Sequence, residues 1–243
     1  MNLYLQDGRP FEPSAEKGRF LNNKQQFSIA DAEESDAGRY SCIAENAAGR
    51  AEKDLLVEVL MPPTMGPGQS VVEVPENDTV TLVCPVNTLQ NVDITWTKNG
   101  IPVSTSEILQ LSQSGHKLHF MKAKTHQAGN YTCTAKNQAG QAEFKIQLIV
   151  LVPPSITVPG FRNFDSVVNQ TVEITCPNTG IPKPTVTWTL DNRPLLAGST
   201  VELLNNGSVL RLHSIQTSQE GRYTCTASNK IGKAEADTYV EVT

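Results

Sequence analysis

The stretch Gln127-Ala128-Gly129-Asn130-Tyr131-Thr132-Cys133 has two near copies, Asp36-Ala37-Gly38-Arg39-Tyr40-Ser41-Cys42 and Gln219-Glu220-Gly221-Arg222-Tyr223-Thr224-Cys225. Working outward from them, other landmarks recur at one period. Cys84 to Cys176, Trp96 to Trp188 and Cys133 to Cys225 each span 92 residues, and Tyr4 precedes Trp96 by the same 92. Cys42 to Cys133 spans 91. Self-similarity at a fixed period marks a chain built of repeated structural units. Cys84 and Cys176 stand 49 residues ahead of Cys133 and Cys225, whereas the matching position for Cys42 falls before Met1. The expectation is two complete repeats preceded by the rear part of a third, cut from a longer array.

Each repeat reads as strands. Val80-Thr81-Leu82-Val83-Cys84 and Val172-Glu173-Ile174-Thr175-Cys176 alternate apolar and polar residues. Ile94-Thr95-Trp96-Thr97 matches Val186-Thr187-Trp188-Thr189, and Leu118-His119-Phe120 matches Leu210-Arg211-Leu212 and Phe27-Ser28-Ile29. Period-2 alternation puts every second side chain on one face of a half-buried strand. Turn signals separate the strands: Asn99-Gly100, Ser114-Gly115, Asn206-Gly207, and an Asn-x-x-Gly after each second cysteine (Asn46/Gly49, Asn137/Gly140, Asn229/Gly232). Asn and Gly tolerate the positive φ of tight hairpins, and that tolerance is the expected reason for all of them. Short strands with frequent turns predict an all-β sandwich.

The joins are abrupt. Leu55-Leu56-Val57-Glu58-Val59-Leu60 runs into Met61-Pro62-Pro63, and Ile146-Gln147-Leu148-Ile149-Val150-Leu151-Val152 runs into Pro153-Pro154. Pro-Pro steps are extended and stiff, so tandem sandwiches in an extended, semi-rigid rod are expected. The expected domains are 1–60, lacking its N-terminal strands, then 61–152 and 153–243. About 92 residues suits one sandwich; the first 60 lack the strands needed for ordinary packing.

A net charge of −5 in 243 residues, with no basic patch, argues against nucleic acid and anionic membrane as partners. Met1-Asn2-Leu3-Tyr4-Leu5-Gln6-Asp7-Gly8 has neither the charged nor the apolar region of a signal peptide. No run approaches the roughly 20 apolar residues of a membrane span. His116, His119, His126 and His213 lack metal-ligand spacing, and His116 and His119 fall on opposite sides of a strand start. Glu33-Glu34-Ser35-Asp36 lacks the alternating ligands of a calcium loop and reads as a solvated turn. Asp7-Gly8-Arg9 reads as a hairpin turn. Phosphate loops, nucleophile elbows and Cys-x-x-Cys pairs are missing from the sequence. No catalysis, metal, cofactor or small-molecule substrate is expected.

The spacings Cys84-(x11)-Trp96…Tyr131-Cys133 and Cys176-(x11)-Trp188…Tyr223-Cys225 resemble immunoglobulin domains. The phrase Asp/Gln-x-Gly-x-Tyr-x-Cys-x-Ala-x-Asn-x-x-Gly-x-Ala-Glu is similar to the intermediate, or I-set, class. The resemblance covers essentially the whole chain. Leu-Met-Pro-Pro, Val-Pro-Pro-Ser-Ile and Glu-Asn-Asp-Thr-Val-Thr-Leu look most like the tandem arrays of the hemicentin family, secreted proteins of the extracellular matrix and basement membrane.

That resemblance implies disulfides Cys84–Cys133 and Cys176–Cys225, core tryptophans Trp96 and Trp188, and tyrosine corners at Tyr131 and Tyr223. Cys42 is then an unpaired thiol. Two departures stand out. Tyr4 replaces the tryptophan, and the turn Asp36 becomes Gln127 and Gln219, so a local carboxylate hydrogen bond is expected to be lost there. Asn77, Asn169, Asn206 and Asn130 are candidate N-glycosylation sites, with Asn77 and Asn169 at equivalent turns and Asn130 the most sheltered. The implied function is a non-catalytic interaction and spacer module of an extracellular matrix or cell-adhesion protein. Its partners would be matrix components, cell-surface receptors or copies of the same chain, bound without membrane insertion. Two alternatives share nearly all these words: an adhesion-receptor ectodomain and an intracellular titin/twitchin-type array with reduced thiols.

Overall fold

In the computed structural model, described for residues 2–12, 18–87, 92–157 and 163–243, the chain is all-β and built of tandem immunoglobulin-like units. The first repeat contributes β1 (Asn2–Gln6), β2 (Arg9–Pro10), β3 (Gly18–Leu21), β4 (Gln26–Ile29), β5 (Gly38–Asn46) and β6 (Gly49–Val57). The second contributes β7 (Val71–Pro75), β8 (Val80–Val83), β9 (Asp93–Lys98), β10 (Ile101–Pro102), β11 (Leu109–Leu111), β12 (Lys117–Phe120), β13 (Gly129–Asn137) and β14 (Gly140–Ile156). The third contributes β15 (Phe164–Ser166), β16 (Val172–Thr175), β17 (Asn178–Ile181), β18 (Thr185–Leu190), β19 (Arg193–Pro194), β20 (Val201–Leu204), β21 (Val209–Leu212), β22 (Gly221–Asn229) and β23 (Gly232–Val242).

The third repeat shows the complete plan. One sheet runs β15-β23-β22-β18-β19 and the other β16-β21-β20. In β16 the alternation turns Val172 and Ile174 inward and Glu173 and Thr175 outward, as a half-buried strand requires. Leu210 and Leu212 of β21 face the same core, and Trp188, Tyr223 and Cys225 meet them from the other sheet. The second repeat follows the same order, with β11-β12-β8 on one side and β10-β9-β13-β14 on the other, β7 pairing β14 in parallel. In the first repeat the sheet β2-β1-β5-β6 forms, and among the described residues β3 and β4 make a separate two-stranded sheet.

The fold divides into two compact units. One comprises Met1–Gly66, Val86–Ile94 and Thr134–Glu143; the other comprises Pro67–Pro85, Thr95–Cys133 and Phe144–Thr243. The first unit is centred on an aromatic cluster: Tyr4 lies 4.8 Å from Phe20, and Phe11 lies 5.1 Å from Phe27 and 5.6 Å from Tyr40, centroid to centroid. Five rings thus give the first repeat an aromatic core. Such ring pairs contribute roughly 0.5–1.5 kcal/mol each beyond burial.

The second unit holds two complete cores and the passage between them. Strand β14 continues through Pro153-Pro154 to Ile156 as one 17-residue strand. Its early part pairs with β7, and its last residues pair antiparallel with β17. The expected boundary at 152/153 therefore lies inside a strand. Proline cannot donate to a ladder, but its fixed φ suits extended backbone, and the pairing shifts register between Val152 and Ser155 where the prolines sit.

Candidate functional site

Three local devices recur in each repeat and pin the turns that surround the sheets. At the corner before β5, β13 and β22, a tyrosine hydroxyl donates to a backbone carbonyl four residues earlier. The pairs are Tyr40 to Asp36 (2.9 Å), Tyr131 to Gln127 (2.6 Å) and Tyr223 to Gln219 (2.7 Å). The expected loss of a side-chain bond at Gln127 and Gln219 is corrected by the structure. Asp36 Oδ2 accepts the N–H of Glu33 at 2.8 Å, and the amide oxygens of Gln127 and Gln219 accept the N–H of Lys124 (2.8 Å) and Gln216 (3.0 Å). An amide oxygen and a carboxylate oxygen are both acceptors, so the turn survives the exchange.

The second device is the hairpin after the tryptophan strand. Asp7, Asn99 and Asp191 have φ of 47°, 50° and 47°. Their side-chain oxygens accept the N–H of Arg39 (2.9 Å), Asn130 (3.1 Å) and Arg222 (3.0 Å). Asp7-Gly8-Arg9 is accordingly a hairpin turn joining β1 to β2.

The third concerns Asn-x-x-Gly, where the expected mechanism is wrong. Asn46, Asn137 and Asn229 are not among the residues with positive φ. Their Oδ1 atoms instead accept local N–H groups: Ala48 and Gly49 (2.8 and 3.1 Å), Ala139 and Gly140 (2.9 and 3.0 Å), and Ile231 (3.1 Å). The side chain imitates a backbone turn. Its other end reaches the linker. Asn137 Nδ2 donates to the Met61 carbonyl at 2.7 Å. Asn229 Nδ2 donates to the carbonyls of Val152 (2.8 Å) and Pro182 (3.0 Å). The turn asparagine is thus a clasp on the incoming linker, used once in each compact unit. Glycine follows for space: a Cβ on Gly140 would sit 3.0 Å from Pro62 Cβ, and one on Gly232 would sit 3.2 Å from Pro153 Cβ. In the second unit the Lys230 ammonium also pairs with Glu73 of β7.

Inside the sandwiches, the structure joins Cys84 to Cys133 and Cys176 to Cys225. Trp188 is the cross-strand partner of Cys225, and the indole N–H groups of Trp96 and Trp188 donate to turn carbonyls, Gly115 at 2.8 Å and Gly207 at 2.7 Å. Gly207 is required there: its φ is +84°, and a Cβ would fall 2.0 Å from the Val186 carbonyl oxygen. Tyr4 reproduces the tryptophan's role with its hydroxyl, which donates to the Lys24 carbonyl at 2.9 Å. Burial pushes the hydroxyls of Tyr131 and Tyr223 up to about 12. Tyr4 and Tyr40 are also raised, mainly by burial, with Cys42 adding to the first and Asp36 and Asp7 to the second. Cys42 is half-buried opposite Tyr4 and has no sulfur partner among the described residues.

The remaining sequence candidates lie apart from one another. His116 contacts Ser114, His119 contacts Thr81 at 2.9 Å, and His213 contacts Glu202 at 3.3 Å. The His126 carbonyl accepts the Lys98 ammonium. Arg211 bridges Glu173 (2.6 Å) and Glu202 (2.8 Å), and its hydrogen bond, aided by His213, holds Glu202 below the usual carboxylate range. Glu34–Asp36 forms one exposed 3-10 turn. Asn77 and Asn169 are exposed turn residues with φ of 71° and 70°. Asn206 shares its turn with the buried Gly207, and the Ser208 hydroxyl accepts Asn178 Nδ2 at 2.9 Å. Asn130 is exposed rather than sheltered, at the start of β13.

Open grooves occur among the described residues. In the first unit a groove of about 850 Å³ is lined by Glu58, Leu60, Val92, Asp93, Lys136, Asn137 and Gln138. In the second, one of about 430 Å³ lies between β10 and the Thr125–Gln127 turn, with Ile101, Pro102, Val103, Ile108 and Leu109 along it. Neither gathers the nucleophile, base and oxyanion donors that a catalytic site needs. The surface presents the short edge strands β10 and β19 and exposed apolar side chains including Ile101 and Leu196.

The immunoglobulin I-set domain profile matches residues 5–59, 63–150 and 154–242. Hemicentin-1 of Mus musculus is 37% identical over 240 residues, 98% of this chain and 4% of its own length. Neural cell adhesion molecule 1 of Mus musculus is 32% identical over 233 residues, 88% of this chain and 20% of its own length. The chain thus spans a small part of these relatives. The solved I-band fragment I67-I69 from titin shares 21% identity and superposes with a TM-score of 0.74, covering 100% of this chain and 88% of that one, a likeness of fold alone. With three consecutive matches along nearly its whole length, the chain belongs to the immunoglobulin I-set domain family.

Proposed function

We propose that this chain is a non-catalytic interaction and spacer segment of an extracellular matrix or cell-adhesion protein of hemicentin type. The observation that carries the reading is the clasp used twice, Asn137 on the Met61 carbonyl and Asn229 on the Val152 carbonyl. A hydrogen-bonded linker with a stiff Pro-Pro step spaces successive sheet faces. Spaced faces bind through many weak contacts multiplied by effective concentration. The partners are proteins: matrix components, cell-surface receptors or further copies of the same array. The disulfides Cys84–Cys133 and Cys176–Cys225 support an oxidising, extracellular location, where such bonds persist. Asn77 and Asn169 are the glycan sites this location implies, because both present an exposed asparagine and an exposed threonine two residues on.

Non-reducing peptide mapping of the native parent protein tests the location. Linked Cys84–Cys133 and Cys176–Cys225 peptides are expected; free thiols at all four positions would sink the proposal in favour of a cytoskeletal array. Expression in secretory cells with glycosidase mapping is expected to mark Asn77 and Asn169.

A further inference from the structure

The 3-10 turns Glu34–Asp36, Thr125–Gln127 and Thr217–Gln219 hold matching places, each just ahead of its corner tyrosine. With their lead-in residues they read Asp31-Ala32-Glu33-Glu34-Ser35-Asp36, Lys122-Ala123-Lys124-Thr125-His126-Gln127 and Ser214-Ile215-Gln216-Thr217-Ser218-Gln219. The first is acidic, the second basic and the third neutral. The third closes with the same corner bonds, so the fold itself requires neither sign. The basic turn also borders the groove of about 430 Å³ beside β10, where Lys98, His126 and the buried Tyr131 are the titratable lining. Among the described residues no carboxylate lines it. Asp78 lies under the turn, its carbonyl accepting the Ala123 N–H, and Glu107 stands outside the groove. The mouth is apolar where the sister repeats are polar. Ile101 is 71% exposed, and its counterparts one period away are Arg9 and Arg193. Met121, 46% exposed, and Ile108 correspond to His213 and Thr200. The Met121 N–H donates to the Ile108 carbonyl at 2.9 Å, which holds these two residues side by side. An exposed apolar patch with a charged rim marks a surface for another protein.

We propose that this groove of the second repeat is a docking surface for the acidic turn Asp31–Asp36 of a second copy of the chain. The contact rests on the interaction role proposed above and gives that role a surface. Charge complementarity selects the occupant. Glu33 and Asp36 are engaged in closing the acidic turn, while Asp31 and Glu34 are exposed. Lys98, Lys122 and, when protonated, His126 are the cations that meet them. Lys98 donates to the His126 carbonyl, a neutral acceptor, so its charge still acts on a partner. Lys124 is held on Asn77 Oδ1 and is left out of the contact. Ala32 is exposed where Ala123 and Ile215 are buried, which gives the acidic turn a small apolar tip for the Ile101 and Ile108 mouth. Two acidic turns repel each other, as do two basic ones, so the pairing runs from first repeat to second repeat. Each copy then carries one donor surface and one acceptor surface, a heterologous contact.

Sedimentation velocity of the full chain over a range of concentrations tests the contact. The wild-type chain should associate as its concentration rises. Association should weaken as salt shortens the Debye length from about 10 Å at 0.1 M toward about 3 Å at 1 M. Asp31→Lys with Glu34→Lys makes the turn basic, and Lys98→Glu with Lys122→Glu makes the groove rim acidic. Each double variant alone should associate roughly tenfold more weakly or worse. An equimolar mixture of the two should recover the association, because each variant then meets its opposite charge on the other. Neutral variants taken from the third repeat, Asp31→Ser with Glu34→Thr and Lys98→Leu with Lys122→Ser, keep side chains that a sister turn already accepts and should also weaken association. A wild-type chain that stays monomeric at every concentration would overturn the proposal. So would a salt-sensitive change of shape without concentration dependence, which would make the chain's own turn the occupant. Association left unchanged by all four double variants would overturn it too, while the interaction role survived through another surface. Free thiols in the peptide mapping above would instead remove that role and leave the sedimentation result standing.

Discussion

The first and third repeats use the same parts list with different consequences. In the third, two sheets enclose a disulfide, Trp188 and a run of aliphatic side chains. In the first, one four-stranded sheet and one hairpin enclose five aromatic rings, and the sheet's last strand leaves Leu55 and Leu56 in solvent. The corner hydrogen bonds are the same in both. Local devices therefore form wherever their own few residues are present, while burial depends on strands that arrive from elsewhere in the chain. The difference separates what a turn does for itself from what a core does for a turn.

The sharpest way to break the comparison is at the cysteines. Replacing Cys176 and Cys225 together by alanine should cost about 3–4 kcal/mol in the unfolding of the third repeat, the value for closing a loop of this length. Cys42→Ser should change stability by about 0.5 kcal/mol or less, since it breaks no disulfide. Urea denaturation of the whole chain, followed by repeat-specific hydrogen exchange, measures both. An equal cost at Cys42 would mean that the first core depends on its thiol after all.

Next in size is the matched pair on the final strands. Ile146→Ala should destabilise the second repeat by about 3 kcal/mol through lost contacts and a cavity. Leu55→Ala should stay within about 0.5 kcal/mol, because the side chain is already in water.

Smaller effects probe single hydrogen bonds. Tyr4→Phe removes the bond to the Lys24 carbonyl and should cost about 1 kcal/mol. Asn229→Ala removes the bond to the Val152 carbonyl in the linker and the bond to the Pro182 carbonyl within the third repeat. It should cost about 1 kcal/mol at the junction of the second and third repeats and increase their independent tumbling in NMR relaxation. Unchanged relaxation would remove the clasp from the spacer mechanism.

The pH dependence has the smallest effect near neutrality. Tyr131 and Tyr223 have folded values near 12, above the ordinary tyrosine value of 10.0, so the protonated form is favoured by folding. Their contribution is fully present below pH ~10 and is lost as the pH rises through about 12. Absorbance titration should show the exposed Tyr239 ionising before Tyr131 and Tyr223, and Tyr223→Phe should shift the alkaline unfolding of the third repeat to higher pH.

Much of this was legible in the sequence because it depends on near neighbours along the chain. The alternation of Val172-Glu173-Ile174-Thr175 is enough to make a strand with one wet face. Positive φ at Asn99-Gly100 and Asn206-Gly207 follows from residues that tolerate it. The spacing of cysteine, tryptophan and tyrosine implies the core of each complete repeat. The turn asparagines misled because Asn46, Asn137 and Asn229 serve as acceptors and donors, a role that sequence cannot separate from tolerance of positive φ.

By itself, then, the chain's order of residues determined the strands, the period of 92, the hairpins and which side chains point inward. Only the tertiary structure decided who meets whom. It brought the Gln127 and Gln219 amides to the work of Asp36, the Tyr4 hydroxyl to that of an indole, Asn229 to the Val152 carbonyl, and left Leu55 outside. Strand and turn preferences act over a few residues, whereas these outcomes depend on atoms brought within about 3 Å across long stretches of chain, where hydrogen bonds and packing are won or lost.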